Sequence, residues 1–273
     1  MAKKNNAKNF EWSKVDQAQD SARYVTYLDA VTDLDAVQAY KHRTYQAMQI
    51  EPGQRVLDVG CGTGDDVFNL AKIVGSDGEA VGIDNSETMI LEAQKRAETT
   101  GLPATFKVCD IYQLDDADNV YDSCRSDRVF QHLAEPEKAL AEMIRVCCSN
   151  GNIVIFDVDW QTLVVDSPDI ALTRKVVNKI SNERVNGWSG RGLFKLLRKA
   201  GLRNVTAVAD SGVILSFAVA DHGFGLTEIV KALSVSGEVS DDQANAWLDH
   251  LKQVDQEGHF FCSITGYIVS GQK

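Results

Sequence analysis

Residues 56–65 read Val-Leu-Asp-Val-Gly-Cys-Gly-Thr-Gly-Asp, and this stretch decides the fold. Its first four residues indicate a short buried strand. The three glycines at alternate positions after it allow a sharp turn that a ligand can approach closely. Helical sequence follows. A strand, a glycine turn and a helix N-terminus in this order form the usual crevice for a nucleotide-like cofactor in an α/β sheet.

The spacing of the glycines separates two classes of cofactor. A dinucleotide fingerprint, G-x-G-x-x-G, starting at Gly60 requires a glycine at position 65, where this chain has Asp65. The observed pattern is instead Gly60, Gly62 and Gly64, followed by Asp65 and Asp66. These carboxylates would repel a pyrophosphate but not a ligand with a cationic centre and no phosphate.

The composition is that of a globular protein with an acidic surface. The chain has 273 residues, of which 44% are hydrophobic and 25% charged, and its formal net charge is −11. Because phosphate binding depends on clustered Lys and Arg, we expect no nucleic-acid partner. The N-terminal sequence lacks the apolar core of a signal peptide, and no apolar run is long enough to span a bilayer. We therefore expect a cytoplasmic protein without a membrane span.

The cysteines predict free thiols. They include no C-x-x-C pair and fall mainly in apolar strand or helix sequence, so we expect buried thiols and no metal site. The six residues are Cys61, Cys109, Cys124, Cys147, Cys148 and Cys262.

Strand-like and helical segments alternate along the chain. This rhythm predicts an α/β fold with a doubly wound, mostly parallel sheet. The expected strands are 55–60, 80–84, 104–109, 121–126, 153–157, 204–209 and 259–269.

The chain divides into four regions by its sequence pattern. Residues 1–50 are expected to form a helical lid, and residues 51–160 the cofactor-binding core. Residues 161–190 are expected to be a cap insertion, with a loop after Trp160 followed by a helix. Residues 191–273 return to the core sheet and contain a second insertion at 220–257, with helices near 224–234 and 241–254.

These segments resemble the class I S-adenosylmethionine (SAM) dependent methyltransferases. Within that superfamily they look most like the ubiquinone and menaquinone C-methyltransferase branch, also called methyltransferase type 11. The resemblance implies a Rossmann-like sheet of seven strands with an antiparallel last strand and helical cap insertions. It also implies SAM as the cofactor, S-adenosylhomocysteine as the product and a small-molecule acceptor. The matching segments are 57–64, 81–86 with Met89, 109–110, 121–122, 129–133 and 139–146.

The resemblance assigns cofactor contacts to the ends of the strands. Asp84 ends the second strand, where a carboxylate can accept both ribose hydroxyls, although an acid at a helix N-terminus is the alternative. Asp110 ends the third strand, where family members hold the adenine amino group; an ordinary turn acid is the alternative. The other implied cofactor residues are Asp58, Gly60, Cys61, Gly62, Gly64, Asn85, Met89, Ile111 and Ser126.

Candidates for catalysis and acceptor binding follow the fourth and fifth strands. His132 could deprotonate an acceptor, or it could be a histidine at a helix start bonded to the backbone. Methyl transfer from a sulfonium needs no metal. Tyr24 and Tyr27 could close over the cofactor, or simply pack. The acceptor-binding candidates, each of which also has a structural or solvated interpretation, are Arg128, Gln131, Asp159 and Trp160, with Asp157.

Three other functions compete with a small-molecule methyltransferase. A nicotinamide-dependent oxidoreductase is disfavoured by the glycine spacing and by the closing strand. A methyltransferase acting on RNA or protein is the second, and the acidic charge weakens its nucleic-acid form. A SAM-binding protein without turnover is the third. The acceptor, the atom that is methylated, and the choice between a monomer and a homodimer stay open at this point.

Overall fold

The computed structural model describes residues 12–32 and 34–273, and the first eleven residues of the expected lid lie outside this range. Within the described residues, seven strands form one sheet in the order β3-β2-β1-β4-β5-β7-β6. The strands are β1 (Arg55–Val59), β2 (Glu79–Asp84), β3 (Ala104–Val108), β4 (Tyr121–Asp127), β5 (Cys147–Val165), β6 (Arg203–Ile214) and β7 (Cys262–Gln272).

Ten α-helices cover the sheet or extend from it within the described residues. They are α1 (Ala22–Thr32), α2 (Asp35–Met48), α3 (Asp65–Val74), α4 (Glu87–Ala97), α5 (Pro136–Val146), α6 (Ile170–Asn182), α7 (Ser189–Lys199), α8 (Phe217–Phe224), α9 (Leu226–Val235) and α10 (Asp241–Gln256).

The sheet has the expected doubly wound arrangement. Strands β1 to β5 pair in parallel, and β7 runs antiparallel to both β5 and β6. Apolar side chains alternate along each strand, so each face carries its own core. Helices α5 and α7 pack on one face with Leu57 and Val81, while α2, α3 and α4 pack on the other with Val56 and Ala80. The predicted fold class is confirmed.

Strand β5 is longer than the sequence pattern indicates. A strand ending near residue 157 and a loop after Trp160 were expected, but β5 continues to Val165. Its extension pairs with β7, where Val165 lies opposite Cys262, after an irregularity that begins at Asp159. The loop prediction was wrong because the partner strand lies about a hundred residues away in the chain. A local sequence pattern cannot reveal such a distant pairing.

The two inserted segments share one apolar core. The buried side chains of α6, α8, α9 and α10 pack against one another and against the β5 extension. The second insertion also begins earlier than expected, because α8 starts at Phe217 and is separated from α9 by Gly225, whose φ is +68°. We call these four helices the helical cap.

The N-terminal region packs on the core through two helices and a 3-10 segment, Trp12–Gln17. Val15 and Tyr24 pack against Met89 of α4. Helix α2 buries a face that includes Tyr40, Lys41, Thr44, Tyr45 and Met48.

The cysteines and the helices add three observations. All six cysteines are free, and Cys148 alone among them is partly exposed. None of the helices in residues 12–32 and 34–273 is long and apolar enough to cross a membrane. The same residues contain no group of three or more His, Cys, Asp or Glu side chains placed to hold a metal ion.

The shared cap core predicts a difference between two positions on α9. Leu233 is 1% exposed, whereas Val235 is 91% exposed. Leu233→Ala should lower the free energy of unfolding by about 2–5 kcal/mol because it leaves a cavity in the cap. Val235→Ala should change it by less than about 0.5 kcal/mol. Urea unfolding of both variants measures the difference, and equal values would show that the cap helices do not form a common core.

Candidate functional site

The glycine turn after β1 has the backbone shape that only glycine adopts readily. Gly60, Gly62 and Gly64 have φ values of +76°, +52° and +89°. A Cβ atom on Gly60 would lie 2.2 Å from Val129, and one on Gly64 would lie 2.6 Å from the ring of Phe106. The turn therefore needs glycine for its conformation and also for the space around it.

Asp84 joins this turn to the end of β2. Its carboxylate accepts a hydrogen bond of 3.0 Å from the backbone N–H of Gly62 and another of 3.0 Å from that of Ser86. Burial raises the pKa of Asp84. Ser86 caps α4 by accepting a hydrogen bond from the backbone N–H of Met89. A carboxylate thus stands at the strand end beside the glycine turn.

The N-terminal segment covers the start of α4. Asp16 accepts three hydrogen bonds there: from the hydroxyl of Ser86 at 2.7 Å, and from the backbone N–H groups of Glu87 and Thr88 at 2.9 and 3.1 Å. Met89 is buried beneath Val15 and Tyr24. Residues 12–32 therefore pack over the start of α4, beside the glycine turn, where the sequence predicts a lid.

The remaining cofactor candidates occupy varied surroundings. Asp110 is exposed and accepts a bond of 2.9 Å from the N–H of Tyr112, as in a local turn. Ile111 packs against the core, and Asn85 is exposed. Ser126 is buried and donates to the carbonyl of β1 at Val59.

The backbone of the turn is tied to β2. The N–H groups of Gly60 and Cys61 both donate to the carbonyl of Ile83, at 2.8 and 2.9 Å. The thiol of Cys61 is buried, which raises its pKa. The turn is therefore held in place from the neighbouring strand.

Beneath the turn lies a buried charged group that the sequence pattern did not reveal. Arg125 of β4 is fully buried and donates to Asp58 at 2.7 Å, to Asp127 at 3.0 Å and to the hydroxyl of Thr44 at 2.8 Å. Asp66 of α3 lies 3.3 Å from the same guanidinium. The carboxylate of Asp58, expected to orient the loop or the cofactor, is thus held by Arg125.

Helix α2 completes this buried cluster. The ammonium of Lys41 contacts Asp66 and lies 3.4 Å from Asp127. Tyr45 donates to Asp66, and Tyr40 donates to Asp127 at 3.3 Å. Burial opposes ionisation, but the positive charges of Arg125 and Lys41 hold the pKa of Asp66 below its ordinary value. We call these residues, with Asp58, the Arg125 cluster.

One residue in the sequence, Arg125, indicates the cluster once the structure is known. A strand in the middle of a parallel sheet is buried on both faces, and an arginine there is rare unless carboxylates surround it. Arg125 occupies such a position in β4, between β1 and β5. Its partners are scattered over three elements, so the sequence alone shows the anomaly but not the pairing.

The Arg125 cluster predicts a large effect of removing its central charge. Arg125→Met leaves buried carboxylates without a counter-charge, which should lower the free energy of unfolding by about 3–5 kcal/mol. Arg55 pairs with Glu79 at a half-exposed position, so Arg55→Gln should cost only about 0–1 kcal/mol. Urea unfolding compares the two variants. Equal losses would contradict a central role for the buried pair.

A cleft opens between the lid and the glycine turn. It is lined by Leu28 and Thr32 of α1, by residues 60–63 and by the charged residues Lys41, Asp65, Asp66, Asp127 and Arg128. Arg128 has a positive φ of +58°, and its Nε lies 3.8 Å from Asp127. The cleft thus presents both signs of charge next to the turn.

His132 ends a 3-10 turn, Phe130–His132, which follows Arg128 closely in the chain. Its backbone N–H donates to Val129 at 2.8 Å, and its ring lies 6.3 Å from that of Trp12. Burial, together with the positive charges of Arg184 and Arg128, lowers the pKa of His132 to about 4. The imidazole is therefore neutral at pH 7 and is a weak proton acceptor.

The titration of His132 can be measured directly. Its C2–H resonance should titrate with a midpoint near pH 4, and His132→Gln identifies the signal. Arg184→Gln should raise this midpoint because it removes a nearby positive charge. A midpoint at the ordinary value of roughly 6.5 would show that the imidazole is solvated.

Four of the five acceptor candidates lie together. The indole of Trp160 donates to the side-chain oxygen of Gln131 at 2.6 Å, and the amide of Gln131 donates to the carbonyl of Arg128 at 3.0 Å. Asp157 accepts from the N–H of Gln131 at 2.6 Å, and burial raises its pKa to about 7. The carboxylate of Asp159 is instead paired with Arg191 of α7, at 2.8 Å.

Known proteins share this fold and parts of this sequence. A family model described as "Methyltransferase domain" matches residues 50–201. An uncharacterized 37.1 kDa protein in transposon TN4556 of Streptomyces fradiae is 36% identical over 250 residues, which cover 91% of this chain and 71% of that protein. The demethylmenaquinone methyltransferase of Staphylococcus aureus is 30% identical over 200 residues, 70% of this chain and 82% of that enzyme. The crystal structure of YcgJ from Bacillus subtilis has a TM-score of 0.61 at 16% identity, covering 86% of this chain and 98% of YcgJ.

Proposed function

Because the chain belongs to the SAM-dependent methyltransferases, we propose that it transfers the methyl group of SAM to a small-molecule acceptor. The acceptor is held between the glycine turn and the helical cap. When bound, SAM supplies an electrophilic methyl group on a sulfonium. The protein's own residues bind, orient and shield the two reactants.

The observation that best supports this proposal is the placement of Asp84. Its carboxylate is fixed by the N–H groups of Gly62 and Ser86 at the mouth of the crevice. A carboxylate held there suits a ribose diol, since it accepts hydrogen bonds from both hydroxyls. The adjoining turn leaves room for the rest of the cofactor because Gly62 has no side chain. A Cβ atom at this position would lie only 2.9 Å from Leu28.

The charges of the cleft fit the amino-acid end of SAM. That end carries an ammonium and a carboxylate, and the cleft is lined by Asp127, Lys41 and Arg128. The cleft therefore has groups of both charge signs on the side of the turn where the amino-acid end of SAM would bind. Arg128 also borders Gln131, so it lies between the cofactor side and the acceptor side.

The acceptor side favours a small molecule. Gln131 and Trp160 are joined by a hydrogen bond, and Trp160 packs against the core of the helical cap. We infer that this pair, residues 12–32 and the cap together enclose the acceptor. Such an enclosure excludes water and fixes the geometry of the reactants. The similarity to a quinone-type methyltransferase over 82% of that enzyme's length also supports a small-molecule acceptor.

Positioning supplies most of the rate enhancement in this proposal. Holding donor and acceptor at attack distance can contribute roughly 7–11 kcal/mol. His132 is neutral at pH 7 and can take a proton from the acceptor, but burial and two arginines lower its pKa to about 4. It therefore suits an acceptor that releases its proton readily.

The cofactor assignment predicts a specific loss on changing Asp84. Asp84→Asn should weaken SAM binding roughly 10- to 100-fold because one charge-assisted acceptor becomes neutral and partly a donor. Asp77→Asn, an exposed turn position, is the matched control and should leave binding unchanged. Isothermal titration with SAM and with NADH measures both. Tight binding of NADH without binding of SAM would overturn the proposal.

The acceptor class is tested by turnover. The purified protein is incubated with SAM and a panel of small phenols, quinols, amines and amino acids, and release of S-adenosylhomocysteine is followed. Parallel reactions contain bulk RNA and a protein extract. We expect turnover with a small molecule only. Methyl transfer confined to RNA or protein would contradict the proposed acceptor class.

A further inference from the structure

Arg184 has no carboxylate partner among the residues that the structure describes, and it lies next to the proposed acceptor space. It lies in the turn between α6 and α7, and its guanidinium stacks over the indole of Trp160, 4.3 Å from the ring centroid. Its Nε is buried and has no hydrogen-bond acceptor among the described residues. By contrast, Arg125, Arg145 and Arg191 each pair with a carboxylate.

The turn that carries Arg184 is fixed to the site. The N–H of Asn186 donates to the carbonyl of Gln131, and the N–H of Trp160 donates to the carbonyl of Gly187, both at 3.0 Å. A Cβ atom on Gly187 would lie 2.2 Å from the carbonyl oxygen of Ser181, so the turn is tightly packed. Arg184 is therefore held against the wall formed by Gln131 and Trp160.

Two carboxylates of this region are already engaged by other cations. Glu183, its neighbour in the chain, pairs with Lys179 at 3.0 Å. Asp127 accepts bonds from Arg125 and lies 3.4 Å from Lys41. A half-buried guanidinium without a counter-charge carries a desolvation cost that a bound anion would offset.

A second arginine strengthens the positive potential. The Nε of Arg128 is buried, has no hydrogen-bond acceptor in the described part of the chain, and lies 3.8 Å from an oxygen of Asp127. Both Arg128 and Arg184 lie close enough to His132 to lower its pKa. The space around His132 is thus positive in a chain whose net charge is −11. Local charge of this kind selects anions that the rest of the surface repels.

We propose that Arg184 binds an anionic group, a carboxylate or a phosphate, on the methyl acceptor. This inference rests on the proposed function and specifies its substrate class. The acid group sits on Arg184, and the acceptor atom lies nearer Arg128 and the glycine turn. The same charges disfavour cationic acceptors, which gives the site selectivity by repulsion as well as by attraction.

Binding of simple anions tests this assignment without knowledge of the natural acceptor. The protein, with and without saturating S-adenosylhomocysteine, is titrated calorimetrically with benzoate, phenyl phosphate and benzamide. Benzamide is the neutral match of benzoate. At least one anion should bind roughly tenfold more tightly than benzamide, because a charge-assisted hydrogen bond replaces a neutral one. The relative affinities of benzoate and phenyl phosphate identify which acid group the site prefers.

Two variants separate Arg184 from general charge effects. Arg184→Gln should abolish the preference for the anion and leave the binding of S-adenosylhomocysteine unchanged. Arg174→Gln on α6 removes an exposed charge of the same cap and should change neither. Equal binding of benzoate, phenyl phosphate and benzamide, or an anion preference that survives in Arg184→Gln, would overturn the inference.

The same experiments distinguish a failure of the proposed function from a failure of the Arg184 assignment. If S-adenosylhomocysteine and SAM fail to bind while the anion preference depends on Arg184, the proposed function fails and the anion site stands. If SAM binds and is turned over while the anion preference is missing, the function stands and the assignment of Arg184 is wrong.

Discussion

The buried guanidinium of Arg125 is the interaction on which the site depends. It joins β1, β4 and α2 through Asp58, Asp127 and Thr44, and its charge faces Asp66 of α3. Burying these charges is costly, and only complete pairing offsets the cost. These contacts consequently fix the positions of the glycine turn, the end of β4 and α2 relative to one another. The contacts of Arg125 therefore fix the shape of the crevice.

The parts of the site that follow from local chemistry could be predicted from the sequence. The glycine spacing, the position of Asp84 at a strand end and the cap at Ser86 each depend on neighbours in the chain. The Arg125 cluster could not, because its hydrogen bonds join residues 67 and 81 positions apart. The extension of β5 escaped prediction for the same reason, since its partner is β7.

The helical cap lies next to the residues that we propose bind the acceptor. Its helices come from two segments separated by α7 and β6, yet they form one apolar core against the β5 extension. Trp160 lies at the junction, bonded to Gln131 on one side and stacked with Arg184 on the other. In the proposed function the core sheet binds the cofactor, and residues at the border of the cap bind the acceptor. A shared cofactor site with a variable cap is compatible with many acceptors.

The most direct test of this account is a crystal structure of the protein with S-adenosylhomocysteine. The account predicts that both ribose hydroxyls contact the carboxylate of Asp84 and that the amino-acid end lies by the glycine turn. We also expect Arg125 to keep its bonds to Asp58 and Asp127, because this buried arginine holds the elements around the crevice together. A ribose away from Asp84, or an Arg125 side chain turned out of the core, would contradict it.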